Sequence, residues 1–413
     1  MKYDILKTTE ESLSIEVIAG KINSSRSKNI TKKGVRLFED NKIYTTSFVG
    51  DISDSELLKK AQGTKTVGIP YNYELPVFQK MSVIDEESLS GPLSKISDEI
   101  EKTQERLRGF SNQFVFNGKF SREIHSMTLT NHDGVTFEKK FAVNEWYYLF
   151  KKVGSPNLMD GYFQGRSRIL ALNDLDDVFN KNIPYLEAYN NEIKFQNGKY
   201  PVLFVEGELT SKLSESFLAD KYCEGSALYS GKLGQKIFSK DFSLYDVNYS
   251  PEHGIYRTFD EEGVVRKMAK LPLIENGEMK NVIADLRNAK KYNVEATGNG
   301  RRSFDSATTM RFNSLVVGAG KRSTQEILKS LDNCIIVFMG HGGDFTDKGD
   351  YSTPLQLSYL VQKGEIVGRL PQLTVNTTTN DMFNSRLIEI ASDGFQKDSQ
   401  HPSIFTEMDV SVN

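Results

Sequence analysis

Cysteine is almost missing from this chain: Cys223 and Cys334 are the only two in 413 residues. Neither belongs to a Cys-x-x-Cys pair, which argues against a disulfide scaffold and a structural zinc knuckle and points to a reducing compartment. Long apolar runs are missing as well. No stretch approaches the roughly 20 residues that a membrane helix needs. The first residues, MKYDILKTTEESLSIEV, reach acidic side chains almost at once where a signal peptide would have an apolar core. The expectation is a cytoplasmic protein with no membrane contact. Charge of one sign is not in excess either: 52 basic and 55 acidic residues leave a net charge of −3. That field is too weak to attract nucleic acid, so no nucleic-acid partner is expected.

Histidine is equally scarce. None of His125, His132, His253, His341 and His401 has another histidine within six residues, so the paired ligands of a helical metal motif are not found. His341, in Gly340-His341-Gly342-Gly343-Asp344, is the most suggestive of the five, with Asp344 as a weak companion ligand. A phosphate loop fails at Val317-Gly318-Ala319-Gly320-Lys321-Arg322-Ser323, because Leu315 and Arg322 stand where glycine and a hydroxyl residue are required. No GxSxG nucleophile elbow occurs.

What is present reads as an α+β protein. An N-terminal domain alternating strands and helices, 1–195, precedes a β-rich, largely antiparallel C-terminal domain with a few inserted helices, 196–413. Ser12 to Ile18 alternates polar and apolar, as a half-buried strand does. Glu39-Asp40-Asn41-Lys42 forms a hairpin turn, and Ser53 with Glu56 forms a capping box opening a helix. A longer helix is expected from Pro92 to Gly109 along Leu93, Ile96, Ile100 and Leu107. Asn117-Gly118, Asp133-Gly134 and Asn197-Gly198 are read as turns of further hairpins. The cluster from Phe141 to Phe150, with the only tryptophan, reads as packed core. Leu209, Leu213 and Phe217 predict a helix over 208–221, and a second capping box, Ser323 with Glu326, opens another.

The stretch LIENGEMKNVIADLRNAKKYNVEATGNGRR, 273–302, concentrates special residue types. Asn276-Gly277 predicts a hairpin turn. Val282, Ile283, Leu286 and Ala289 predict one buried helical stripe that ends near Asn293. Gly298-Asn299-Gly300 is free to take left-handed angles and delivers Arg301 and Arg302. Such a loop can bind a carboxylate or a partner, or its arginines can pair with carboxylates of the same chain.

Over nearly its whole length the sequence resembles the TldD/PmbA proteins, also labelled modulators of DNA gyrase. The motifs are Ser14 to Lys21, Gly34-Val35-Arg36-Leu37-Phe38, Ser230-Gly231-Lys232-Leu233-Gly234-Gln235-Lys236-Ile237, Asp260-Glu261-Glu262-Gly263-Val264, Leu273-Ile274-Glu275-Asn276-Gly277 and Thr297-Gly298-Asn299-Gly300-Arg301-Arg302-Ser303. The resemblance implies paired subunits that enclose a cavity and act as a cytoplasmic metallopeptidase on unfolded peptides, maturing peptide antibiotics or degrading antitoxins. One subunit type carries HExxxH; the other, TldE/PmbA-like, lacks it. Counted back from Ser230, that window falls on Thr210-Ser211-Lys212-Leu213-Ser214-Glu215, where Thr210, Ser211 and Glu215 replace the two histidines and the glutamate. The cysteine ligand expected near the C-terminus is missing from 391–413. Gly-Asn-Gly-Arg-Arg looks more like the motif of the metal-carrying subunit.

The resemblance therefore implies a subunit with no catalytic residue, metal ligand or cofactor of its own. Zinc is expected only in an HExxxH-bearing TldD-type partner, in a heterodimer, with unfolded peptide as the substrate. Gly298, Asn299, Gly300, Arg301 and Arg302 are the candidate contacts to peptide or partner. Two alternatives stand beside this reading. One is an active homodimer with atypical ligands drawn from His341, Asp344, His253 or Glu215. The other is a peptide-binding or scaffolding homodimer without protease activity.

Overall fold

The computed structural model describes every residue except 64, 66–67, 92–95, 170–173, 206–207, 341 and 397–398. The first sheet grows from two unusually long strands, β1 (Lys2–Ile18) and β2 (Lys21–Glu39), paired antiparallel along their length. The hairpin turn to β3 (Lys42–Val49) falls where expected, with Asp40 and Asn41 at φ 51° and 56°. Helix α1 (Asp54–Gly63) follows, and its capping box forms: Ser53 N–H donates to Glu56 Oε2 and Glu56 N–H donates to Ser53 Oγ, both at 3.2 Å.

The short strands β4 (Ile69–Pro70) and β5 (Lys80–Ile84) and helices α2 (Glu86–Leu89) and α3 (Ile96–Arg108) lead to the long pair β6 (Phe114–Asn131) and β7 (Thr136–Lys152). Helix α3 carries the expected stripe of Ile96, Ile100 and Leu107, all buried; Pro92 and Leu93, where that helix was expected to begin, lie outside the described residues. The strand β8 (Gly161–Ser167) adds to β7, giving the order β4-β3-β2-β1-β6-β7-β5 with β8 beside β7. Helix α4 (Asp174–Ala188) then packs near β8.

The second large sheet starts at β9 (Gly198–Phe204). It lies parallel to the strand Cys334–Gly340 and antiparallel to the strand Ile404–Val412. The strands Leu373–Thr378 and Asp350–Gln362 continue the order, and the last of these pairs back onto Cys334–Gly340. That pairing closes these five strands into a ring. A four-stranded sheet, which includes Leu244–Val247 and Lys270–Glu275, packs beside it. The fold is α+β, with few helices and mostly antiparallel sheets. One apolar core runs from Trp146, Phe150 and Phe163 of the first sheet to Leu203, Ile336, Phe338 and Phe405 of the second. No helix among the described residues is long and apolar enough to cross a membrane.

Several local readings are corrected. Asn117-Gly118 is no turn, because β6 runs straight through it. Glycine is needed there for a different reason: a Cβ at 118 would stand 2.5 Å from Cδ1 of Tyr148 on the neighbouring strand. Asp133-Gly134 is a turn as expected, with Gly134 at φ 83°. Asn197-Gly198 opens no hairpin, since both partners of β9 are remote in sequence.

The helix expected over 208–221 is broken into a 3-10 turn Glu208–Thr210, α5 (Ser211–Glu215) and α6 (Ala219–Cys223). Its apolar stripe is still buried, but Leu218 is extended and bridges Ile283, whose N–H donates to Phe217 O at 2.8 Å. Tertiary hydrogen bonding has overridden the helical period. The same bridge withholds Val282 and Ile283 from the helix Leu286–Tyr292, which starts later than expected behind Asp285 and ends at Asn293 in the left-handed region.

Candidate functional site

The glycine-arginine loop turns inward. Gly298 takes φ 70° and Gly263 φ 86°, and the two motifs lock together: Asp260 Oδ2 accepts from Gly300 N–H at 2.8 Å, while its Oδ1 accepts from Glu262 N–H and Val264 N–H, both at 2.9 Å. Only glycine fits at 300, where a Cβ would stand 2.6 Å from Glu262 Oε2. Arg301 donates to both Glu261 oxygens, at 3.0 and 2.9 Å, and to Asn313. Arg302 donates to Asp4 at 2.8 Å and to the carbonyl of Glu261 at 3.2 Å.

Asp4 is shared with Arg36, whose other arm lies 3.6 Å from Glu262. Asn299 donates to Asp246 and to Arg311 O, each at 2.9 Å. All these side chains are buried. Burial, with each acid beside other carboxylates, raises the pKa of both Asp260 and Glu262. Burial pushes Lys139, 3.7 Å from Glu261, down to about 7. In this chain Arg302 is a strut between β1 and the motif loops, and Arg301 ties those loops to Asn313, both paired with carboxylates of the same chain.

A wide concavity lies elsewhere. A groove of about 560 Å³ separates β6, β7 and β8 from Val205, Phe338 and the loop Gln396, Ser399, Gln400 and His401. Register places its first wall. Lys119, Tyr147 and Gln164 form one cross-strand row, and Ser121, Glu145 and Arg166 form the next. Trp146 and Phe163 also line the groove, while their rings belong to the shared core. None of Gly298, Asn299, Gly300, Arg301 and Arg302 borders it.

A narrow cavity of about 20 Å³, sharing Val205, Ser399 and His401 with the groove, leads to Thr210. The position that the resemblance assigns to a metal helix therefore does sit beside the groove. Thr210 is buried and supplies only a hydroxyl. Glu215 is half exposed and turns to Lys221 at 3.0 Å and Lys212 at 3.7 Å, which hold its carboxyl below the usual range. His401 is the one imidazole bordering the cavity. No group of three or more His, Cys, Asp or Glu among the described residues converges to hold a metal ion. These donors do not fit a zinc site.

Asp344 lies in a different concavity, of about 350 Å³, with Asp350, Asp381 and Asp409, and His341 lies outside the described residues. His253 contacts Ser250 Oγ at 2.9 Å and lies near His401, and Gln400 donates to its carbonyl at 3.1 Å. The sequence alone did not single out His401 or Trp146 as groove residues. A lone histidine and an aromatic in a strand carry no spacing signal for a groove formed between two distant sheets.

Comparison with known proteins agrees over most of the chain. Residues 197–412 match the family model of the PmbA/TldA metallopeptidase C-terminal domain. A metalloprotease of Archaeoglobus fulgidus is 21% identical over 93% of this chain and 90% of its own length. A TldD homolog of Buchnera aphidicola, also named a metalloprotease, is 28% identical over 43% of this chain and 38% of its own. The crystal structure of TldE from Thermococcus kodakarensis superposes with a TM-score of 0.83 at 19% identity, covering 100% of this chain and 97% of that one. A Thermotoga maritima protein described as a modulator of a DNA gyrase gives 0.82 at 18% identity, covering 99% and 96%.

Proposed function

The chain belongs to the TldD/PmbA metallopeptidase family, and from that premise we propose that it is the non-catalytic subunit of a peptidase complex acting on unfolded peptides. The observation that carries this reading is the state of the metal-helix position. Thr210 closes a 3-10 turn, α5 has only five residues, and Glu215 is committed to two lysines. No hydrolytic step is assigned to these residues. The role left to the chain is to bind peptide and complete a cavity with a partner that brings HExxxH.

The groove supports that role. It borders the strand β8, whose backbone is suited to an extended chain, and main-chain pairing along a strand tolerates many peptide sequences. The buried pairing of Arg301 and Arg302 supports a buttressing role for them, in place of contact with peptide.

The test is reconstitution. The purified chain alone is expected to leave an unfolded peptide intact and to contain no stoichiometric zinc, and cleavage is expected once an HExxxH-bearing TldD-type subunit is added. Chelator-sensitive cleavage by the isolated chain, or tightly held zinc at one ion per chain, would overturn the proposal.

A further inference from the structure

Strand β2 outruns its neighbour. β3 pairs with it only from Lys32 to Glu39, so residues 21–30 of β2 are bonded to β1 on one side and, among the described residues, to no strand on the other. Gly50, at φ 114°, ends β3 just past Val49.

Two backbone bonds fix which groups this edge presents. Gly50 N–H donates to Thr31 O at 2.9 Å, so odd-numbered residues of β2 turn their N–H and C=O toward the side of β3. His132 N–H donates to Tyr3 O at 3.1 Å, so odd residues of β1 serve β6, and its even residues serve the even residues of β2 opposite them. Both bonds give the same parity, and the register runs without a shift as far as Ser24. Ser25, Ser27 and Asn29 therefore hold their N–H and C=O outward from the sheet, whereas those of Ser24, Arg26 and Lys28 face β1. Residues 25–29 are all exposed.

The charge along this edge is one-sided. Residues 21–33 carry Lys21, Arg26, Lys28, Lys32 and Lys33 and no acid, in a chain whose net charge is −3. Lys28 pairs with Glu10 at 2.7 Å and Lys33 with Asp54 at 2.5 Å, while Lys32 lies over the ring of Phe304. Lys21 and Arg26 have no carboxylate partner among the described residues. Cations on an edge guard it against its own kind: antiparallel pairing of two copies about Ser27 would set Arg26 opposite Lys28 twice, and like charges directly opposite are destabilising. The same cations favour a strand with acids at those positions.

We propose that residues 24–30 of β2 are a docking edge for an extended segment of another protein with Glu or Asp at alternate positions. The segment adds as a further antiparallel strand, bonded to Ser25, Ser27 and Asn29, with its carboxylates beside Arg26 and Lys28. No residue of this edge borders the groove or the cavity at Thr210, so the docking edge stands apart from the peptidase reading above.

The test titrates the full-length protein with acetyl-(Glu-Thr)4-amide and follows amide exchange by nuclear magnetic resonance. Saturable binding is expected, with exchange slowed at Ser25, Ser27 and Asn29 and unchanged at Ser24, Arg26 and Lys28. Acetyl-(Lys-Thr)4-amide should bind about tenfold more weakly. Ser27→Pro deletes the central outward donor at a position where proline is tolerated, so affinity should fall about tenfold with the thermal midpoint unchanged. If that variant fails to fold, Arg26→Glu decides: it should weaken the glutamate peptide about fivefold and strengthen the lysine peptide.

Equal affinity for the two peptides, absence of binding, or a folded Ser27→Pro variant that binds like the wild type would overturn the docking edge. Concentration-dependent self-association that protects the same three amides would assign the edge to a second copy and overturn it as well.

Discussion

His401 shows how a single side chain changes meaning with its surroundings. In the sequence it is an isolated histidine; in the fold it borders both the groove and the cavity beneath it. Burial holds its pKa below the ordinary imidazole value. The sign follows from linkage: the unfolded chain takes up a proton near pH 6.5, before the folded protein does. The stability contributed by the neutral ring is complete above that pH and is lost as pH falls through the folded value. Urea midpoints measured between about pH 7 and 5 should fall more steeply for the wild type than for His401→Asn. Burial lowers His125 as well, so the variant should retain part of the slope. Parallel profiles for the two proteins would show that His401 does not titrate in this way.

At the scale of the element, local patterns were reliable where the chain could satisfy itself and failed where a distant segment intervened. The capping boxes at Ser53 and Ser323 form because each closes its own hydrogen bonds within a few residues, and the turn at Asn276-Gly277 joins two strands that pair directly across it. The helix read across 208–221 does not, because Ile283 takes the backbone of Phe217 and Leu218. Gly118 is the sharper case. A turn glycine and a packing glycine look alike in sequence, and the ring of Tyr148 decides between them. Gly118→Ala should cost about 1–3 kcal/mol by overpacking against that ring, read by urea denaturation. A neutral substitution would mean that Tyr148 swings aside freely, despite the hydrogen bond that its hydroxyl accepts from Gln104 at 2.9 Å.

At the scale of the molecule, the two large sheets share one apolar core, and an ion network through Asp4, Arg36, Arg302 and Glu262 ties the first of them to the motif loops. Removing one partner of a buried pair leaves uncompensated charge, so Asp4→Asn should lose about 3–5 kcal/mol. The shared core predicts that unfolding stays a single transition, followed by both circular dichroism and Trp146 emission. Two separated transitions would mean that the shared core does not couple the sheets. The glycine-arginine loop takes its place here. The pull of Arg301 and Arg302 toward carboxylates was legible, but which carboxylates, and whether solvent would reach them, was not.

By itself the sequence determined the class of the molecule. Strand alternation, turn glycines, capping boxes and the order of its motifs are local or composition-level properties, and they were enough to specify an α+β member of this family. Only the tertiary structure decided which residues face a common space. The inward turn of Arg301 and Arg302, the breaking of the helix at Leu218, and the placing of Tyr147 and His401 on one groove all depend on contacts between segments remote in sequence. Such contacts are fixed by packing two sheets against one core, a cooperative free energy that no short window of residues encodes.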